Sequence, residues 1–103
     1  MTNQKTRKNI ISYVNCIIED IGTIPEYVIR KYNSESNDKS RDWWYDWACN
    51  FADRSKAEAD GILSFHKIWM EDIEDNDYDE LSERLYQANK EMRDSLWKEL
   101  YKN

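Results

Sequence analysis

Apolar side chains recur every three or four residues along most of this chain, and that spacing predicts helix wherever it persists. Ile10, Val14, Ile17, Ile18 and Ile21 form one stripe on a first helix from about Gln4 to Ile21. Gly22 sits where a left-handed cap ends a helix. Thr23-Ile24-Pro25-Glu26 then has the capping-box pattern, with proline tolerated in a first turn. It predicts a short second helix to about Tyr32, with Ile24, Tyr27, Val28 and Tyr32 inward. Asn33 to Lys39 is polar and reads as a loop.

From about Ser40 the helical period resumes. Trp44, Trp47, Phe51, Ser55, Glu58, Ile62, Phe65, Trp69 and Ile73 follow three-and-four spacing, polar only in the middle. Gly61 and the pattern Ser55-Lys56-Ala57-Glu58 lie near that middle and would suit a break. A glycine inside a helix costs only ~1 kcal/mol relative to alanine, so one long helix is the better expectation. Seven of the ten residues from Glu71 to Glu80 are acidic, which requires a solvated turn, placed near Asp75-Asn76. Asp77 can cap the last helix, with Glu80 three residues on. Tyr78, Leu81, Leu85, Ala88, Met92, Leu96 and Leu100 make its stripe. No segment alternates with a strand's period. The fold expected is all-α: a small bundle of about four helices in one domain over 1–103, with a long C-terminal antiparallel helical hairpin. Trp47, Phe51, Phe65, Leu85 and Leu96 are the candidate core.

Composition narrows the function. Hydrophobic residues are 40% of the 103 and charged residues 35%, too apolar for disorder and too charged for a membrane protein. No apolar run approaches the ~20 residues of a membrane span. The basic start, Met1 to Lys8, imitates a signal peptide only until Ser12 and Asn15, with no small-residue cleavage site after it. Cys16 and Cys49 form no CxxC pattern and suit a reducing cytoplasm. The net charge is −6: residues 1–41 hold seven basic against five acidic side chains, and residues 42–103 hold eight against sixteen. That balance disfavours direct nucleic-acid binding and favours a protein partner with a basic surface.

Candidate chemistry is sparse. His66 is the only histidine and has no nucleophile motif beside it, and two glycines cannot build a phosphate loop. No cofactor is expected, and the scattered cysteines and histidine do not make a zinc site. A calcium loop counted from Asp72 places Asp72, Glu74, Asn76 and Glu83 correctly, but Asp77 replaces the turn glycine and Asp79 the apolar eighth position. Glu71-Asp72-Ile73-Glu74 and Glu91-Met92-Arg93-Asp94 resemble the ExxE and ExxD pairs of the MazG-type all-α nucleotide pyrophosphohydrolases. That resemblance implies magnesium-dependent nucleotide hydrolysis through Glu71, Glu74, Glu91 and Asp94. A hairpin turning near Asn76 sets the two pairs ~15 Å or more apart along the axis, too far to share one metal. Helix, Gly22, helix in the basic third suggests a small helix-turn-helix regulator offering Arg30 and Lys31, with Glu26 unfavourably at the start of the reading helix.

Aromatic surplus is the most informative feature. Five Trp and seven Tyr exceed what one small core requires. Trp43-Trp44-Tyr45 cannot all point inward at 100° per residue, and Tyr86, Lys90, Arg93, Trp97 and Tyr101 make a second stripe beside the leucines. Large aromatics with arginine at a surface match the make-up of interface cores. The expectation is a non-enzymatic inhibitor or adaptor. Trp43, Tyr45, Tyr86, Trp97 and Tyr101 would anchor a partner or a second copy of the chain. Glu71, Asp72, Glu74, Asp75, Asp77, Asp79 and Glu80 would steer it, locally imitating DNA. Abundant Lys, Asn, Ile and Tyr suit an AT-rich genome. A short acidic chain of this kind suits the takeover and anti-defence proteins of phages, anti-CRISPR inhibitors among them, at work in a bacterial cytoplasm.

Overall fold

The computed structural model describes residues 4–102; Met1 to Asn3, part of the basic start, lie outside them. Three helices follow in order: α1 (Gln4–Tyr32), α2 (Arg41–Ile68) and α3 (Asp75–Tyr101). Each packs against both others, so the chain runs up, down and up in a rod of 54 × 22 × 16 Å. The described residues contain no strand, in agreement with the all-α expectation, but the helices number three and not four.

The difference lies at Gly22. One unbroken α1 runs through both Gly22 and Pro25. Ile10, Val14, Ile21, Ile24 and Val28 are all buried and continue a single stripe across the expected break. Burying Ile24 and Val28 stabilises by ~1.5–3 kcal/mol each. That matches the ~1 kcal/mol for a helical glycine plus ~3 kcal/mol for proline, so continuity wins. Pro25 has no N–H for the Ile21 carbonyl. One turn earlier the Thr23 hydroxyl donates to the Asp20 carbonyl at 2.8 Å. A helix-turn-helix needs a turn at Gly22, and none is there.

In α2 the single long helix is as expected and passes through Gly61, which faces open space. Its buried face is rotated by about one residue from the aromatic stripe. Ala48, Ala52, Ala59 and Leu63 are fully buried, whereas Phe51 is 43% exposed and Phe65 51%. Both were expected in the core, and both are on the surface. A rod only 16 Å across its thinnest axis leaves little room inside for a row of rings. An alanine seam lets α2 approach its neighbours closely, and the rings fall to the margins. Leu85 and Leu96 are core as expected, with Leu81, Met92 and Leu100.

Ser40 caps α2, its hydroxyl accepting from the Trp43 N–H at 3.0 Å. Asn37 closes the α1–α2 loop by donating to the carbonyls of Tyr32 and Lys39, while its side-chain oxygen accepts from the Trp44 indole. At α3 the cap is Glu74, three residues before its expected place at Asp77. Asp77 instead is the third residue of a reciprocal capping box, accepting from the Glu74 N–H at 3.1 Å. The residues counted as a calcium loop from Asp72 are therefore mostly helix, since α3 begins at Asp75.

Candidate functional site: an apolar tip rimmed by carboxylates

Trp69-Met70-Glu71-Asp72-Ile73-Glu74 connects α2 to α3 at one end of the rod. Phe65, Ile68, Trp69 and Met70 are 51, 64, 77 and 53% exposed, the largest run of exposed apolar side chains among the described residues. The tip is held firmly. The N–H groups of Trp69 and Met70 both donate to the Phe65 carbonyl, and that of Asp72 to the His66 carbonyl at 2.9 Å. His66 Nδ1 also meets Asp72 Oδ2 at 2.8 Å. Ile73 is buried, pinning the connection to the core. Glu71 takes φ 53°, the left-handed region that side chains other than glycine, asparagine and aspartate enter reluctantly. A displayed hydrophobic segment on a rigid, strained turn is a pre-organised contact.

The seven acidic residues of this region divide into two groups. Asp72, Glu74 and Asp77 have structural work. Asp72 pairs with His66, and Glu74 and Asp77 form the capping box. Arg7 of α1 donates to Asp77 through Nε at 2.7 Å and Nη2 at 2.9 Å, with Glu74 3.9 Å away. These bonds hold the Asp77 carboxyl below the ordinary aspartate range, the Arg7 hydrogen bond most strongly. Glu71, Asp75, Asp79 and Glu80 are exposed, and of these only Asp75 meets a cation, Lys67 at 3.7 Å. Lys67 also lies 4.2 Å from the Tyr78 ring. Glu71 thus sits within the tip's own connection, and Asp75, Asp79 and Glu80 lie in the first turns of α3 that follow it.

The aromatic residues expected to share this contact lie elsewhere. Trp43 and Tyr45 open α2 and Trp97 and Tyr101 close α3, at the far end of the rod. From Trp43 to Glu71, α2 rises ~40 Å. Trp43 is 42% exposed, edge-on to Trp44, with Lys39 Nζ 5.3 Å over its ring. Tyr45 and Tyr101 are half-buried, packed on the core and on each other. The Tyr101 hydroxyl donates to Asp42, which pushes its pKa up to about 12. Trp97 is 46% exposed against Tyr101. Tyr86 is exposed midway along α3, beside the network in which Asp53 accepts from Asn89 at 3.0 Å and pairs with Arg93 at 2.5 Å. The residues expected to form one contact thus lie at two ends of the rod, and Ile68, Trp69 and Met70 at the tip were not among them. Ile68-Trp69-Met70 stands directly before the acidic run, and that adjacency was the available signal.

The carboxylates of the pyrophosphohydrolase resemblance do not converge. Glu71 and Glu74 lie in the connection before α3, and Glu91 is ~25 Å along the helix from Glu74. No group of three or more His, Cys, Asp or Glu side chains among the described residues is arranged to hold a metal. No helix among them is long and apolar enough to cross a membrane. The chain matches no family model, no curated protein and no solved structure.

Proposed function

We propose that this protein is a non-enzymatic inhibitor or adaptor that works by occupying the surface of a protein partner, with the α2–α3 tip as the contact. The observation that carries this reading is the exposure of Phe65, Ile68, Trp69 and Met70 on a turn fixed by His66, Asp72 and Ile73. Exposed apolar side chains in one rigid patch, ringed by carboxylates, fit a pocket rimmed by lysine and arginine. The four exposed carboxylates, Asp75 sharing Lys67, add long-range attraction to such a rim. A small phage protein directed at a nucleic-acid-handling host or defence protein is the biological setting this chemistry suits, because such targets carry basic grooves.

The test compares the wild-type chain with Trp69→Ala in capture from bacterial lysate, followed by binding of the purified captured protein. Trp69→Ala should speed dissociation by tenfold or more, the loss of a hot-spot aromatic of ~2 kcal/mol. The triple change Glu71→Gln, Asp75→Asn, Asp79→Asn should slow association and flatten its salt dependence. A captured partner that is indifferent to both sets of changes rules the tip out as the contact.

A further inference from the structure

The other end of the rod carries a second, chemically different feature. Asp20, Thr23, Ile24 and Tyr27 of α1 face Trp47 and Phe51 of α2 across a groove of about 370 Å³. Trp47 and Phe51 stack with centroids 5.4 Å apart, and Tyr27 tilts against Trp47 at 5.7 Å. Three aromatic rings and one carboxylate thus line one concavity, and no basic residue does. The Asp20 backbone carbonyl accepts from the Thr23 hydroxyl, and among the described residues its carboxylate makes no hydrogen bond or ion pair.

We propose that this groove receives an organic cation, the guanidinium or ammonium group of a basic side chain on a protein partner. Ring faces carry negative potential and attract such groups when water is partly excluded. The same end of the molecule already uses this attraction internally. Arg30 and Lys31 both lie 5.7 Å from the Tyr27 centroid, and Lys39 lies 5.3 Å from Trp43. These contacts engage Tyr27 and Trp43, and Trp47 and Phe51 cover one face of each other, so a ligand meets the outward side of the Trp47–Phe51 stack. Asp20 decides between a cation and an apolar occupant. Asp20 is exposed at the groove's edge, where its charge attracts a cation and gives nothing to a neutral side chain of the same length. The volume is at the small end of ligand pockets, room for one long side chain. This inference is independent of the tip, which lies at the opposite end of α2.

The experiment is a nuclear magnetic resonance titration of the full chain with N-acetylarginine methylamide, and with N-acetylnorleucine methylamide as its uncharged counterpart. The arginine probe should bind about tenfold more tightly than the norleucine probe and shift the Trp47 indole resonance. Asp20→Asn should weaken the arginine probe several-fold. Phe51→Leu, which keeps apolar bulk on an exposed position but removes the ring, should weaken it comparably, whereas Trp69→Ala should leave it unchanged. Equal binding of both probes, or arginine binding that survives Phe51→Leu, overturns the proposal. An arginine titration that moves Trp69 but not Trp47 also overturns it.

Discussion

Leu63 and Phe65 stand two residues apart on α2 and give opposite answers to the question of which face of that helix is core. Leu63 is fully buried and Phe65 is 51% exposed. Removing a fully buried leucine to alanine costs ~2–5 kcal/mol through lost transfer energy and the cavity left behind. Full burial of a phenylalanine stabilises by ~1.5–3 kcal/mol, so a half-exposed one that leaves no cavity should contribute only ~1 kcal/mol. Both changes insert alanine into a helix, so propensity differs little between them. In a domain of this size 1 kcal/mol moves Tm by ~4–8 °C. Leu63→Ala should therefore lower Tm by ~10–40 °C, and Phe65→Ala by ~5 °C. Thermal unfolding followed by far-ultraviolet circular dichroism, with urea unfolding as a check, reads both. Had the aromatic stripe been the core, the order would reverse, because a core phenylalanine truncated to alanine costs ~3–5 kcal/mol. A large loss in Phe65→Ala beside a small one in Leu63→Ala would refute the assignment of the alanine seam to the interior.

Acid should unfold the protein by releasing two carboxylates. Asp77 is held below its ordinary range chiefly by the Arg7 hydrogen bond, and Asp53 by hydrogen bonds from Arg93 and Asn89. Because both folded-state values are depressed, their contribution is complete above the ordinary aspartate range and disappears as pH falls through the lowered values. Asp77→Asn should thus be less stable than wild type at neutral pH, with the gap closing below about pH 4 in urea titrations; a gap independent of pH would contradict the Arg7 pairing. With magnesium or manganese present, the protein should not turn over nucleoside triphosphates, since its two carboxylate pairs are ~25 Å apart; hydrolysis abolished by Glu74→Gln and Asp94→Asn would reinstate the enzyme reading.

Helical period was fully legible in the sequence, and burial was legible only where one stripe competed with nothing else. In α3 the second stripe is broken by Lys90 and Arg93, so the leucines form the one wholly apolar row, and Leu81, Leu85, Leu96 and Leu100 are all buried. In α2 two rows compete, one aromatic and one of alanines ending in Leu63. Hydrophobicity alone ranks the rings higher, but which row faces inward depends on how closely three helices can pack, and that is a property of the assembled bundle. Gly22 misled for a related reason. A local stop signal of a few kcal/mol was set against burial of Ile24 and Val28, which no local pattern measures. The acidic run was legible as a solvated turn, yet not as a divided one, because the cation that engages Asp77 is Arg7, seventy residues earlier in the chain.

That division changes what the acidic region can do. Treated as one cloud, Glu71 to Glu80 is a site of seven equivalent charges. In the folded chain Asp72, Glu74 and Asp77 are committed to fixing the turn, through His66, the α3 cap and Arg7. Their side chains are engaged in holding the turn, so replacing them should loosen the platform. Glu71, Asp75, Asp79 and Glu80 keep their charge for long-range effects, screened over ~10 Å at 0.1 M salt. The two groups interleave along the sequence and act on different quantities. The committed set determines how rigidly Trp69 and its neighbours are presented, and hence how much freedom is lost on binding. In the proposed contact, the exposed set would govern how fast a basic partner arrives. Under the proposed function, steering and anchoring would fall to adjacent residues on one tip, and a partner's salt dependence and residence time should respond to different members of the same acidic run.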